Sequence, residues 1–316
     1  MWEGWKDSAL YGQLPRRIAV GWSGGIDSTA LLLMLQQAGF QVEAWHVDHA
    51  WHGQSQAQSH QLKKQAEAWG IAFFLRRLSE APQSNREAAA RQGRYGAFQD
   101  LAEERGLYAI ALGHHADDQV ETVCMRMLQG SGVMGMRGIH AQSKMRGLTL
   151  YRPLLHVRRA VLKEWLLSMG VPWLDDRSNT DLSLWRNRIR LKLLPEMDVH
   201  GVDSAALWLR WHQQAWRVSC EIEHGMGDVS LEQRDGCCSV SWQMWAQLPQ
   251  PMRVQLLQRM TSKLFGAGVV LGKRHLLLIE CWREKGGKSG VDLSGCRLYR
   301  QGEGLHLEVR AASSRP

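Results

Sequence analysis

Short apolar runs alternate with longer amphipathic stretches over the first two thirds of the chain. Ile18, Ala19 and Val20 form a run of the kind covered on both faces of a sheet. After a break at Ser23, Gly24 and Gly25, the apolar pattern resumes at helical spacing over Ile26–Leu35. The alternation then repeats. It predicts a strand over Gln41–His49, a helix over Ser55–Trp69, a strand over Ile71–Leu75 and a helix opened by Ser84–Glu87 that runs to about Arg105. A strand over Leu107–Leu112 and a helix over Ala116–Leu128 follow. The glycine-rich stretch Gln129–Gly138 reads as a mobile loop. Leu148–Leu155 contains a fifth strand ended by Pro153, and Arg158–Met169 is helical. Strands alternating with helices of this length predict an α/β fold with a doubly wound parallel sheet.

The pattern then changes. Val171–Asp181 is polar and turn-rich, and Leu184–Leu194 reads as a basic helix ending at Pro195. Met197–Asp203 has no strong periodicity and separates a domain over 1–200 from one over 201–316. The second is expected to be smaller and mostly helical. It has a long helix from Ser204 to about Glu223 carrying Trp208, Trp211 and Trp216, and helices over Gln250–Leu264 and Lys273–Trp282. Strands are expected around Asp235-Gly236, and a closing β-hairpin turns at Gly302.

At 316 residues, with 44% hydrophobic and 22% charged residues, the chain has the composition of a soluble globular protein. No apolar run approaches the roughly 18 to 20 residues that span a bilayer, and the first residues lack the apolar core of a signal peptide. A cytoplasmic protein with no membrane partner is expected. The net charge of +8 is spread along the chain, with 24 basic against 20 acidic residues up to 200 and 15 against 11 after it. That balance suits a polyanion touched by both parts, or a solvated basic surface. Six cysteines are present and none forms a Cys-x-x-Cys pair, so zinc-ribbon and iron–sulfur spacings are absent.

Ser23-Gly24-Gly25-Ile26-Asp27-Ser28 carries the first chemical signal. A helix N-terminus behind two glycines suits an anion. Asp27 would repel that anion unless a cation lay between them, so the motif suggests a phosphate with a divalent metal. It is neither a Walker loop nor a dinucleotide turn. The second signal is His114-His115-Ala116-Asp117-Asp118-Gln119-Val120-Glu121, at the end of a strand. Asp117 and Glu121 are four apart and share a helix face, able to hold a metal or an ammonium group. In a doubly wound sheet both motifs, and the His46-Val47-Asp48-His49 strand end, converge at the carboxyl edge. A third signal, Arg186-Asn187-Arg188-Ile189-Arg190, reads as a positive wall toward phosphate. Arg91 and Arg94 lie on another basic helix.

The first loop resembles the pyrophosphate loop of the N-type ATP pyrophosphatases. Taken with His114–Thr122, His46–His49, the Asp176–Asp181 and Arg186–Arg190 stretches and Arg91–Tyr95, the chain resembles the tRNA(Ile)-lysidine synthase family. The resemblance implies ATP and Mg²⁺ as cofactors. ATP would lie on Ser23, Gly24, Gly25, Ile26, Asp27 and Ser28 with His46 and His114, and the metal on Asp27 and Asp117. Asp27, His115, Asp117 and Arg190 are the implied catalytic residues. Asp118, Glu121, Arg91, Arg94, Asn179, Arg186 and Asn187 are the implied substrate contacts. The implied partners are an isoleucine tRNA with a CAU anticodon and free L-lysine, and a homodimer is compatible with them. His115, Asp117 and Glu121 are the implied candidates to take the proton of the attacking lysine amine. A 2-thiocytidine synthase of the same fold would need paired cysteines or a cluster. A non-catalytic nucleotide- or RNA-binding relative would have lost Asp27 or the His114–Glu121 cluster.

Overall fold

The computed structural model describes residues 10–50, 55–78, 86–174, 180–227, 229–265, 271–293 and 295–309. They form two compact units, 1–214 and 215–316. The division falls inside a long helix instead of in the aperiodic stretch before it.

In the first unit, Arg17–Gly21 (β1), Gln41–Asp48 (β2), Ala72–Arg77 (β3), Ala109–Leu112 (β4), Gln142–Met145 (β5) and Leu148–Tyr151 (β6) make one sheet ordered β3-β2-β1-β4-β6-β5. The pairs β3–β2, β2–β1, β1–β4 and β4–β6 are parallel. The expected doubly wound sheet is therefore present, with one addition. The edge strand β5 runs antiparallel to β6 through a turn in which Arg146 and Gly147 both have positive φ.

Alternation along β1 divides the core. Ile18 and Val20 face a layer containing the helices Ile26–Gln37 (α1), Ser55–Ala68 (α2) and Arg159–Ser168 (α5). Ala19 faces the other layer, where Tyr95, Phe98 and Leu101 of Arg86–Arg105 (α3) pack on Trp45 and Ile110. Nine of the twelve residues of α1 are buried, so this helix is apolar all round. A fully buried leucine such as Leu31 stabilises by roughly 1.5–3 kcal/mol relative to exposure.

Strand order reverses between β1 and β4, because β1 connects onward to β2 on one side and lies beside β4 on the other. Such a switch point opens a crevice at the carboxyl ends of the strands. The helix Ala116–Leu128 (α4) starts there. Its apolar side, Val120, Val123 and Cys124, packs on Ile189 and Trp208.

The expected basic helix over Leu184–Leu194 does not stop at Pro195. Trp185–Arg188 (α6) passes through a π turn, Ile189–Leu193, into Leu194–Val199 (α7), with Pro195 in its first turn. Proline lacks the N–H that an α-helix would need at that point, and a π turn relieves the gap. Ser204–Met226 (α8) follows. Asp198 accepts the Ser204 N–H at 2.9 Å and Asp203 accepts that of Ala206 at 2.9 Å, capping its start.

The second unit holds more sheet than a single hairpin. Glu232–Arg234 (β7), Cys237–Ser241 (β8), Val291–Leu293 (β9), Cys296–Gln301 (β10) and Gly304–Val309 (β11) form an antiparallel sheet ordered β7-β8-β11-β10-β9. Asp235 and Gly236, both at positive φ, join β7 to β8 as expected. Gly302 turns β10 into β11. Trp242–Gln247 (α9), Gln250–Phe265 (α10) and Lys273–Glu284 (α11) cover one face, burying Trp245, Leu256, Met260 and Ile279 against Leu298, Leu305 and Leu307. All six cysteines are free thiols. No helix among the described residues is long and apolar enough to cross a membrane.

Candidate active site

The loop between β1 and α1 is tied together by its own side chains. Ser28 Oγ accepts the Ser23 N–H at 3.2 Å and lies 3.1 Å from Ser23 Oγ, and the Ser28 hydroxyl donates to the Gly25 carbonyl at 3.2 Å. Gly24 has φ +84, and a Cβ there would stand 2.7 Å from Leu62. The Leu174 N–H donates to Gly24 O at 2.8 Å, pinning the loop from outside. The first α-helical bond of α1 is made by Thr29 N–H to Gly25 O. The amides of Ile26, Asp27 and Ser28 therefore open the helix, while the Ile26 side chain is buried in the core.

The end of β4 meets this loop backbone to backbone. A Cβ on Gly113 would lie 2.9 Å from Asp27 C and from Ser28 N. Only glycine permits that approach, which brings the His-His-Ala-Asp-Asp motif onto the Ser23–Ser28 loop. His115 Nε2 stands 3.6 Å from Asp27 Oδ2 and 3.5 Å from Asp118 Oδ2, and His115 Nδ1 stands 3.5 Å from Asp117 Oδ2. Burial alone would lower its pKa, but Asp117 and Asp27 outweigh that and push it up to about 9. His115 is thus a cation at neutral pH. Burial works to raise the Asp27 and Asp117 carboxyls, yet His115 and the neighbouring arginines hold both below the ordinary range.

The two aspartates expected to share a metal differ in availability. Asp27 Oδ1 is buried and makes no hydrogen bond, although Arg159 Nε lies 3.3 Å away. Both oxygens of Asp117 are engaged, Oδ1 by Arg158 at 2.7 Å and Oδ2 by the Arg159 N–H at 2.8 Å. No group of three metal-ligating side chains is found among the described residues.

Glu121 and the basic stretch meet each other. Arg186 Nε donates to Glu121 Oε2 at 2.6 Å, Arg190 Nε to Oε1 at 2.5 Å, and Arg186 Nη2 to Asp118 Oδ1 at 2.7 Å. The second Asp118 oxygen takes the His115 N–H at 2.9 Å. The expected positive wall is therefore neutralised on its inner side. Asn187 is buried and gives its amide to Asp181 O at 2.9 Å. His115, Asp117 and Glu121 are all engaged in ion pairs, so none of the three is an idle base.

His46 lies on β2 beside the loop, and its Nδ1 is 2.9 Å from Trp22 O. A carbonyl only accepts, so Nδ1 carries the proton and the Nε2 lone pair is left over. Burial lowers its pKa. Burial also pulls His114 down to about 4, which leaves it neutral. Arg91 stacks over Tyr95 at 5.1 Å, and Arg91 and Arg94 are exposed on α3. Asn179 lies outside the described residues. A cleft of about 600 Å³ opens from the cluster, lined among others by Asp117, Glu121, Arg158, Arg190 and Asp198.

Sequence reasoning passed over Arg158, Arg159 and Arg152, and gave Gly113, at the head of the His114–Thr122 motif, no role of its own. Arg158 and Arg159 carried a signal, since two adjacent cations at a helix start oppose the helix dipole and call for acidic partners.

The chain matches the PP-loop domain over residues 7–197. It is 37% identical over 183 residues to a tRNA(Ile)-lysidine synthase of Polaromonas naphthalenivorans (strain CJ2), covering 57% of this chain and 56% of that one. A tRNA(Ile)-lysidine synthase of Chlamydia caviae is 30% identical over 260 residues, 81% of each chain. One of Solibacter usitatus is 30% identical over 304 residues, 93% of this chain and 67% of the relative. The chain thus spans little more than half the length of the first relative and most of the second. Among solved structures, a U34-tRNA thiolase from Methanococcus maripaludis with its [4Fe-4S] cluster shares the fold, with a TM-score of 0.54 at 16% identity over 66% of this chain and 72% of that one. The chain belongs to the tRNA(Ile)-lysidine synthase family of PP-loop proteins.

Proposed function

We propose that this chain joins free L-lysine to C2 of the wobble cytidine in an isoleucine tRNA with a CAU anticodon. ATP is consumed to AMP and pyrophosphate through an adenylated cytidine. The observation that carries this reading is the approach of His115 to Asp27 across the β1–β4 switch point, at 3.6 Å. It unites an anion-binding loop with a cationic acid in one crevice.

The chemistry follows from the residues. A pyrimidine carbonyl oxygen leaves poorly, and adenylation makes it a good leaving group. The opening amides of α1 and the Ser23–Ser28 hydroxyl pair hold the pyrophosphate part of ATP, oriented before it arrives. Protonated His115 places positive charge beside that group as it departs. Mg²⁺ fits Asp27, whose Oδ1 lacks a hydrogen bond, better than Asp117, whose oxygens are both occupied. A bound Mg²⁺ would supply further charge neutralisation at the phosphates. Arg186 and Arg190, held by Glu121 and Asp118, form the rim beyond the crevice. Their outer surface, with Arg91 and Arg94, is suited to RNA phosphate. The second unit adds further basic surface for the tRNA. Its substrates place the enzyme in the cytoplasm.

The test is incorporation of radiolabelled lysine into a CAU-anticodon isoleucine tRNA transcript, with AMP release followed in parallel. Equal amounts of lysine incorporated and AMP released are expected. A transcript with uridine in place of the wobble cytidine should accept none. No incorporation into the CAU transcript would reject the reading.

A further inference from the structure

Just past β6, Arg152 is buried, with 5% of its surface exposed. Its Nη1 donates to His140 O at 2.8 Å and to Ser143 Oγ at 3.0 Å, and Tyr95 lies alongside. These partners are neutral. Among the described residues no carboxylate pairs with it, and its Nε is buried without a hydrogen bond. A buried guanidinium normally has a counter-charge, because desolvation is costly and neutral acceptors offset only part of that cost.

The surroundings deepen the imbalance. His114 has a buried Nδ1 with no hydrogen bond; of the charges that bear on its ring, Asp118 favours the protonated form, while Arg152, Arg186 and Arg91 oppose it. Arg186 is neutralised by Asp118 and Glu121. Arg152 and Arg91 have no such acid among the described residues. None of the groups acting on His114 belongs to the phosphate loop, which faces His115.

The arginine is also held rigidly from behind. Gln119 donates to Ile139 O at 2.6 Å and accepts the Ile139 N–H at 2.7 Å, a two-point clamp from α4 onto the chain. The clamp needs Gly138, at φ +67, where a Cβ would lie 2.2 Å from Gln119 Oε1. The next residue, His140, presents the carbonyl that orients Arg152.

We propose that Arg152, with His114 and Arg91, forms a subsite for one anionic oxygen group of the acceptor substrates, separate from the phosphate loop. This rests on the reading that the chain joins lysine to an RNA base. Two groups of those substrates have the required chemistry, the α-carboxylate of lysine and a phosphate of the RNA backbone.

The experiment measures binding of L-lysine, L-lysinamide, a CAU anticodon stem-loop RNA and ATP to the full chain, comparing the wild type with Arg152→Met and Arg152→Lys. Arg152→Met should weaken L-lysine, the stem-loop or both by about tenfold or more, with ATP affinity within about twofold. Arg152→Lys should restore part of the loss. Loss of the preference for L-lysine over L-lysinamide assigns the carboxylate, and loss against the stem-loop assigns the phosphate. Unchanged affinity for both, or a loss shared equally by ATP, overturns the proposal. Should Arg152→Met fail to fold, the His114 ring of the wild type is titrated by NMR. Its pKa should rise on addition of L-lysine or the stem-loop, and no movement with either overturns the subsite. Lysine incorporation by the wild type is scored separately, so failure of the reaction and failure of the subsite are told apart.

Discussion

His115 Nε2 stands 3.6 Å from Asp27 Oδ2, so the second histidine of one motif and the acid of another face each other as opposite charges. The pKa of His115 is raised from an ordinary value near 6.5 to about 9. Its contribution to stability is therefore complete below about pH 6.5 and is lost as pH rises through about 9. Urea unfolding between those limits should show the wild type losing a few kcal/mol more than His115→Gln. Parallel curves for the two proteins would show that His115 is not held as a cation.

Asp27→Asn keeps the shape of the side chain and removes its charge. Turnover should fall by about 100-fold or more, the scale of losing one preorganised electrostatic contact. The thermal midpoint should fall as well, because His115 and Arg159 lose one of their counter-charges, so turnover is measured well below the lowered midpoint. Turnover near the wild-type rate would remove Asp27 from the reaction.

Glu121 is the shared anchor of two arginines, and Arg186 and Arg190 are 32% and 29% exposed. Glu121→Ala should destabilise the chain by about 3 kcal/mol, the low end for breaking a buried pair, because both guanidiniums still reach water. A residue that served only to bind substrate would leave the unfolding midpoint unmoved, so denaturation without ligand separates the two roles.

Gly113→Ala places a Cβ against the backbone of Asp27 and Ser28, which cannot turn aside. The KM for ATP should rise about tenfold, with about 1–3 kcal/mol of stability lost to overpacking. Gly12→Ala, which meets nothing within 4 Å, is the control and should be neutral in both measurements.

Much of the fold was legible because its signals are local. The run Ile18–Val20, the broken glycine loop and the apolar Ile26–Leu35 stretch each specify one element, and alternation specifies the sheet. Strand β5 escaped because Gln142-Ser143-Lys144-Met145 is polar at an edge, where one face meets water and pairing with β6 supplies the stability. The π turn escaped because a proline after a helical pattern usually ends it, whereas Trp208 and Val120 here hold Ile189 in the core on both sides of the irregularity. The convergence of the motifs at one sheet edge was legible, but the pairs they form there were not. Spacing placed Asp117 and Glu121 on one helix face. It could not show that Arg158 and Arg186, distant in sequence, already occupy them. Arg152 was hidden for the opposite reason: it sits at the end of an apolar run and reads as a strand terminus.

His114 and His115 are consecutive, and the backbone at His115 is extended, with φ −127 and ψ −178. Neighbouring side chains on extended backbone point to opposite sides. One ring therefore meets Asp27 of the Ser23–Ser28 loop and the other lies toward Arg152, with a single peptide unit between them. A ligand that tilts this peptide from one side shifts the ring on the other. Linkage makes such an influence mutual: whatever factor the nucleotide imposes on acceptor affinity, the acceptor returns to the nucleotide.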